Sequence, residues 1–190
     1  MQLAKTVRKE YAVMNIELKT ERLLLRPLSL NDVNALHEYY SDEENTRYIT
    51  NLPYKTIEAT RQYIADAAEE WEKAVPHYYV FAIELDGTVI GNAAVSFDEY
   101  FHGLLYCIIN KLYWRNGYAA EALSALKNYL LHEMPDMRAK QLLMRCDHRN
   151  KAAAGLAEKI GFAEENSMPL FRFYSDSGEI VPDLVYVLDV

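Results

Sequence analysis

The chain is poor in the residues that support metal or disulfide chemistry. It has two cysteines, Cys107 and Cys146, each inside an apolar, strand-like run, and neither stands at metal-ligand spacing from a second Cys or a His. They are expected to be free, buried thiols in a reducing compartment, so the chain reads as cytoplasmic and no metal is expected. No apolar run approaches the roughly 20 residues that a membrane span needs. Met1 to Met14 has no uninterrupted apolar core of the kind a secretory signal carries. Lys5, Arg8 and Lys9 make residues 1–15 a mildly basic arm, expected to be frayed. Positive charge is also short, 20 basic residues against 28 acidic for a net charge of −8. That argues against a nucleic-acid or anionic-membrane partner and permits a cationic substrate. Internal repeats, low-complexity stretches and linkers are missing, and so is a Gly-x-x-x-x-Gly-Lys-Ser/Thr phosphate loop.

What is present is an ordinary globular composition, 51% hydrophobic and 25% charged over 190 residues, enough for one domain spanning 16–190. Residues 16–27 read as a strand ended by Pro27. Ser29 or Asn31 can cap a helix with Val33, Leu36 and Tyr40 on one face, and Ser41 to Tyr54 reads as a loop. Thr56 caps a longer helix with Ile57, Ile64, Ala68, Trp71 and Val75 inward, stopped by Pro76. Strands Tyr78–Leu85 and Thr88–Phe97 flank Asp86-Gly87, a strong hairpin signal. Strand Leu104–Ile109, a helix ending near Met134-Pro135, strand Lys140–Asp147 and a helix over Lys151–Ile160 follow. That last helix buries Ala153, Leu156, Ala157 and Ile160, with Gly161 placed to close it. Leu170–Tyr174 and Leu184–Val190 form a last hairpin across Ser175 to Gly178. The order is β-α-α-β-β-β-α-β-α-β-β. The crossover helix lets strands 104–109 and 140–146 run parallel while the others are antiparallel, which makes a mixed α/β sheet.

One stretch organises the rest: Tyr113-Trp114-Arg115-Asn116-Gly117-Tyr118-Ala119-Ala120-Glu121-Ala122-Leu123. A strand runs into it and a helix leaves it. The first N–H groups of a helix have no partner within it and its dipole favours negative charge, so this turn is a candidate pyrophosphate site. Gly117 lets the backbone come close to a ligand.

Four ordered segments carry a family resemblance: Thr20 to Leu28, Val89-Ile90-Gly91-Asn92, Tyr113 to Leu123, and Asp147-His148-Arg149-Asn150 with Glu158 to Phe162. Together the chain resembles the GNAT superfamily of acetyl-coenzyme-A-dependent N-acetyltransferases, and within it the RimJ/RimL-like branch that acetylates ribosomal-protein N-termini. The resemblance implies a GNAT-like fold: a single mixed, mostly antiparallel sheet with a central splayed parallel pair, flanked by helices. It implies acetyl-coenzyme A as co-substrate. The pantetheine arm would lie in the splay against backbone groups at about Ile108 and Ile109. The pyrophosphate would sit on the loop of Trp114, Arg115, Asn116, Gly117, Tyr118 and Ala119, with Arg115 and Lys111 adding cations and Asn150 near the thioester. Trp114 holds the loop's first position and Arg115 replaces a frequent glycine. A homodimer is compatible with the family and with exposed tail-hairpin edges.

The family's proton-handling positions are blank: Leu104 where a glutamate is usual, Ala153 where a serine is, Ala157 where a tyrosine is. Asp98, His102 and Tyr106 are the nearby replacements, with Glu99 beside them, although positioning alone supplies several kcal/mol of such a barrier. Tyr39, Tyr40, Tyr48, Tyr54 and Trp71, with Asp42, Glu43 and Glu44, are candidates to line an acceptor cleft that suits an ammonium group. The resemblance implies direct transfer to a primary amine, a protein N-terminus or a small cationic molecule. The blanks leave open a non-catalytic acyl-coenzyme-A-binding module. An unrelated nucleotide-binding α/β domain is the remaining alternative.

Overall fold

In a computed structural model, described over residues 16–50, 54–73, 75–100, 102–134 and 141–189, the strand signals resolve into one eight-stranded sheet. The basic arm lies outside the described residues. The strands are β1 (Leu18–Lys19), β2 (Leu23–Pro27), β3 (Tyr78–Leu85), β4 (Thr88–Phe97), β5 (His102–Ile109), β6 (Gln141–Asp147), β7 (Ala163–Tyr174) and β8 (Glu179–Asp189). Their order across the sheet is β1-β2-β3-β4-β5-β6-β8-β7, with β5–β6 parallel and every other neighbouring pair antiparallel. This is the mixed, mostly antiparallel sheet that the sequence leads one to expect.

Alternation along the strands builds a core on each face. On one face Phe81, Ile83, Val95, Leu105, Leu142 and Met144 are covered by α4 (Tyr118–His132) through Ala122, Leu123, Leu126 and Leu130, and by α5 (Lys151–Lys159) through Ala154 and Ala157. On the other, Val80, Ala82, Ala94 and Ile108 are covered by α1 (Val33–Tyr40) and α3 (Ile57–Trp71). Thr56 caps α3 by accepting from the Ala59 N–H at 3.3 Å. Gly117 precedes the crossover helix at φ +82° and Gly161 follows α5 at φ +96°, conformations that disfavour a side chain.

Five details depart from the sequence reading. Residues 16–27 are two strands, because Thr20 Oγ1 turns back onto Leu23 N and O and reverses the chain. The expected loop 41–54 holds a one-turn helix, α2 (Glu43–Thr46), which Asp42 caps at 2.8 Å from Asn45 N. On α3, Ala68 is exposed and Val75 lies beyond the helix, 62% exposed; Ala67 and Glu70 take the inward positions, and Glu70 is satisfied there by His77 N at 2.5 Å. On α5 Ala154 is buried, while Ala153 and Leu156 are half-buried. In the tail, Leu170–Tyr174 pair with Glu179–Asp183, and the Leu184–Val187 stretch pairs with β6 and with Ala163–Glu165.

Candidate active site

The site begins where the two central strands part. Parallel pairing runs only from His102–Gln141 to Leu105–Met144, while β5 stays paired to β4 through Ile109 and β6 to β8 through Asp147. Past Leu105 and Met144 each strand keeps its outer partner and loses its inner one. Asn110 N donates to Ile90 O at 2.8 Å, so by the alternation of an antiparallel ladder the backbone groups of Asn110 and Ile108 are directed at β4. Those of Cys107 and Ile109 are directed at the gap. Of the two backbone positions expected there, Ile109 faces the gap and Ile108 does not; Cys107 takes its place. A cleft of about 1200 Å³ occupies the opening and is lined from both faces of the sheet.

One end of the cleft is the loop before α4. Trp114 Nε1 donates to Ile109 O at 2.7 Å, and Asn45 Nδ2 donates to the same oxygen at 3.1 Å. Arg115 stands at φ +63° and Gly117, the residue before α4, at φ +82°, so two left-handed residues curl the chain around the helix start. Asn116 Nδ2 braces the curl by donating to Tyr113 O at 3.2 Å and Trp114 O at 3.1 Å. Glu121, in the first turn of α4, accepts from Thr20 Oγ1 at 2.5 Å, Arg22 N at 3.0 Å and Arg22 Nε at 2.7 Å. Burial works to raise its carboxyl, and these bonds outweigh it and hold it below the ordinary range. Arg22 also donates to Asn116 O at 3.1 Å and lies over the Tyr118 ring. The Thr20–Arg22 turn is thus a strut that fixes the loop. Trp114, Arg115, Gly117, Tyr118 and Ala119 line the cleft; Lys111 does not, because Asp42 (2.7 Å) and Glu44 (3.2 Å) hold its ammonium. Asn150 lines the cleft and caps α5, its Oδ1 accepting from Ala153 N at 3.1 Å, which leaves its Nδ2 donors available.

The opposite wall is tyrosine. Tyr40, Tyr48, Tyr54, Tyr63 and Tyr106 line it; Tyr40 and Tyr63 rings lie 5.4 Å apart, and Tyr63 Oη lies 3.5 Å from Tyr106 Oη. Burial, then the neighbouring Tyr63, pushes the Tyr106 phenol well above its ordinary value, so it holds its proton at neutral pH. Two other expected aromatics are elsewhere. Tyr39 is buried with its hydroxyl donating to Asn92 Oδ1 at 3.2 Å, and Trp71 packs edge-on against Tyr79 and Phe81.

The structure does not bring Asp98 and His102 to this place. His102 Nδ1 lies 2.8 Å from Asp98 Oδ2, but His102 sits in the paired part of β5, three residues or about 10 Å before the strands part, and neither residue lines the cleft. Of the blank positions, Leu104 and Ala153 line the cleft and Ala157 is buried in the core. Both cysteines line it too. Burial pushes the Cys107 thiol up to about 12, and burial followed by the nearby Asp183 carboxylate pushes Cys146 up to about 11.

A cluster the sequence reading passed over completes the lining. Asp183, on β8, accepts from Arg145 Nη2 at 2.9 Å and from Arg172 Nε at 2.8 Å; Arg172 Nη1 donates to Tyr48 O at 2.7 Å. The signal was legible locally: Arg145 interrupts the apolar alternation of Met144 and Cys146. Tyr63 was missed because it stands beside the inward Ile64.

A family model, the acetyltransferase (GNAT) domain, matches residues 22–163, and the chain belongs to this family of acetyl-transferring enzymes. The uncharacterized N-acetyltransferase p20 of Bacillus licheniformis is 23% identical over 150 residues, which cover 78% of this chain and 83% of that one. A GNAT-family acetyltransferase from Bacillus anthracis shares the fold at a TM-score of 0.75 and 24% identity, covering 92% of this chain and 98% of its own. RimL, a ribosomal L7/L12 α-N-protein acetyltransferase solved with coenzyme A, shares it at 0.77 and 14% identity, again over 92% and 98%. The likeness to RimL is one of fold.

Proposed function

We propose that this chain moves the acetyl group of acetyl-coenzyme A to a primary amine by direct transfer in a ternary complex. The observation that carries the reading is one continuous cleft with two unlike ends. One end is an anion-binding helix start beside freed backbone groups; the other is a tyrosine-lined chamber. Backbone groups of Cys107 and Ile109 would hold the pantetheine arm as an added strand would. The Ile109 carbonyl is already occupied, which leaves its N–H for that role. N–H groups over Arg115 to Ala119, with the Arg115 guanidinium, would hold the pyrophosphate. Solved members of this fold carry such molecules: RimL with coenzyme A, and the microcin C7 self-immunity acetyltransferase MccE with acetyl-coenzyme A and AMP. The bound thioester supplies the activated acyl group.

The chain's own side chains orient and exclude. Asn150 Nδ2 offers a neutral donor beside the opening of the gap. Tyr106, proton retained, offers its hydroxyl to the departing thiolate. Among the described residues lining the cleft, Glu44 and Asp183 are the carboxylates and both are ion-paired, so no unpaired carboxylate waits for the amine. The amine then arrives neutral from solution, and rate comes from alignment. Direct transfer is favoured over an acyl-enzyme because both lining thiols are held protonated and are poor nucleophiles.

Release of free thiol from acetyl-coenzyme A with a panel of amines tests the proposal, with intact-protein mass read during turnover. Turnover without a 42 Da adduct, an acetyl group by mass, is expected. An adduct that Cys107→Ala or Cys146→Ala abolishes would overturn direct transfer. Tight acetyl-coenzyme-A binding with no turnover of any amine would favour a binding module.

A further inference from the structure

The carboxylates that made a cationic acceptor attractive are taken. Asp42 and Glu44 both hold Lys111, and Glu43 does not line the cleft. Cations stand there instead. Arg145 follows Met144, the last residue of β6 in register with β5, so its side chain is on the face that carries Tyr106 and on the opposite wall of the gap. Arg172 comes from β7, and Arg47 lines the same arm from the end of α2. Asp183 accepts from both Arg145 and Arg172, and two guanidiniums on one carboxylate leave a positive balance. Arg145 uses one Nη of its fork on Asp183 and keeps 34% of its side chain exposed, so the remaining donors can face a ligand. In a chain of net charge −8, this arm of the cleft carries a positive balance among the described residues.

The second constraint is the amine. With no unpaired base among the described lining residues, the acceptor must lose its proton to solvent. A peptide α-amine, at about 7.7–8.0, is roughly a quarter neutral at pH 7.5, whereas a lysine-like amine near 10.4 is neutral about one part in a thousand.

Resting on the acetyl-transfer reading, we propose that the acceptor is the α-amine of a peptide with a carboxylate side chain in its first few residues. The amine sits towards Tyr106 and Tyr63, and the carboxylate on Arg145, with Arg47 beside it. A polyamine or aminoglycoside meets like charge there.

The test compares Ser-Glu-Ala-amide, Ser-Gln-Ala-amide and spermidine in two readouts: thiol release with acetyl-coenzyme A, and calorimetric binding to protein saturated with coenzyme A. The Glu peptide is expected to lead the Gln peptide by about tenfold or more, a difference carried by KM, with spermidine last. Arg145→Gln should collapse the ratio of the two peptides towards one, and Arg145→Lys should restore part of it. Arg172 keeps Asp183 paired in both variants. Equal handling of the peptides, a lead for spermidine, or an unchanged ratio in Arg145→Gln overturns the proposal even if acetylation proceeds. Preferential binding of the Glu peptide without acetylation supports the acidic subsite and counts against acetyl transfer instead.

Discussion

The indole N–H of Trp114 donates to the carbonyl oxygen of Ile109 at 2.7 Å, tying the loop before α4 to the last residue of the strand that opens the gap. Loop and strand therefore move as one body, and the backbone groups meant for two parts of one ligand are held in a fixed relation. Trp114→Phe keeps the ring and removes the donor. A typical net hydrogen bond of about 0.5–1.5 kcal/mol predicts a two- to tenfold loss of acetyl-coenzyme-A affinity by calorimetry. The melting temperature should move little, because Asn45 still donates to the same oxygen.

Gly91 explains itself by what a side chain would meet. A Cβ there would stand 2.3 Å from Ile108 O and 3.0 Å from Ile109 Cα. The close approach follows a register shift in the β3–β4 ladder beside Ile83, where the strand is bulged. Gly91→Ala should push β4 from β5 just behind the gap and cost about 1–3 kcal/mol in urea unfolding. Gly87→Ala is a useful comparison: its Cβ meets nothing within 4 Å, and its cost is confined to its φ of +80°.

Tyr106 and His102 lie on one strand, β5, with Tyr106 lining the cleft and His102 away from it. Tyr106 faces the cleft, so Tyr106→Phe should lower kcat about a hundred- to a thousandfold, as the loss of one donor at a developing charge does, with little change in the KM for acetyl-coenzyme A. His102→Ala should leave kcat within about twofold, since the imidazole is engaged with Asp98 at the closed part of the strand pair, away from the cleft. A large effect of His102 on kcat would remove Tyr106 from its assigned role.

Acid should destabilise this fold in a defined window. Burial works to raise the carboxyls of Asp32, Asp147 and Glu121, yet in each the bonds to arginine and to backbone N–H outweigh it and hold the group below its ordinary value. A depressed folded-state value contributes stability that is fully present above the unfolded value, about 4, and is lost progressively below it as pH falls through the folded value. Urea midpoints should be insensitive to these groups between pH 6 and 8 and fall steeply below about pH 4. Asp147 is fully buried, with Arg149 Nη2 at 2.7 Å and Tyr174 Oη at 2.7 Å. Asp147→Asn should lower the neutral-pH unfolding free energy by about 1–3 kcal/mol, read as an earlier urea midpoint, and flatten the acid limb.

The strand–turn–helix that would hold the cofactor was legible because it is built from neighbours in sequence. A strand, a left-handed glycine and a helix start follow one another over Leu104 to Leu123, and helix-terminus physics needs nothing further away. The strands from Tyr78 to Phe97 came out to the residue for the same reason, since alternation and an Asp-Gly turn are local. The Thr20–Arg22 turn did not come out: Thr20 closes it locally on Leu23, but the carboxylate that fixes it in place, Glu121, comes about a hundred residues later.

The sequence by itself determined the element order, the parallel crossover and the glycine turn that starts the crossover helix, all products of periodicity and of backbone limits at single residues. Only the tertiary structure decided which side chains share the acceptor chamber. Whether Lys111 is free for phosphate depends on Asp42 and Glu44, and whether Asp42 is free for an amine depends on Lys111. Arg145, Arg172 and Asp183 come from three strands and meet only when β6, β8 and β7 pair in register. Charge acts through space, so its sign at a site is settled when the chain has closed.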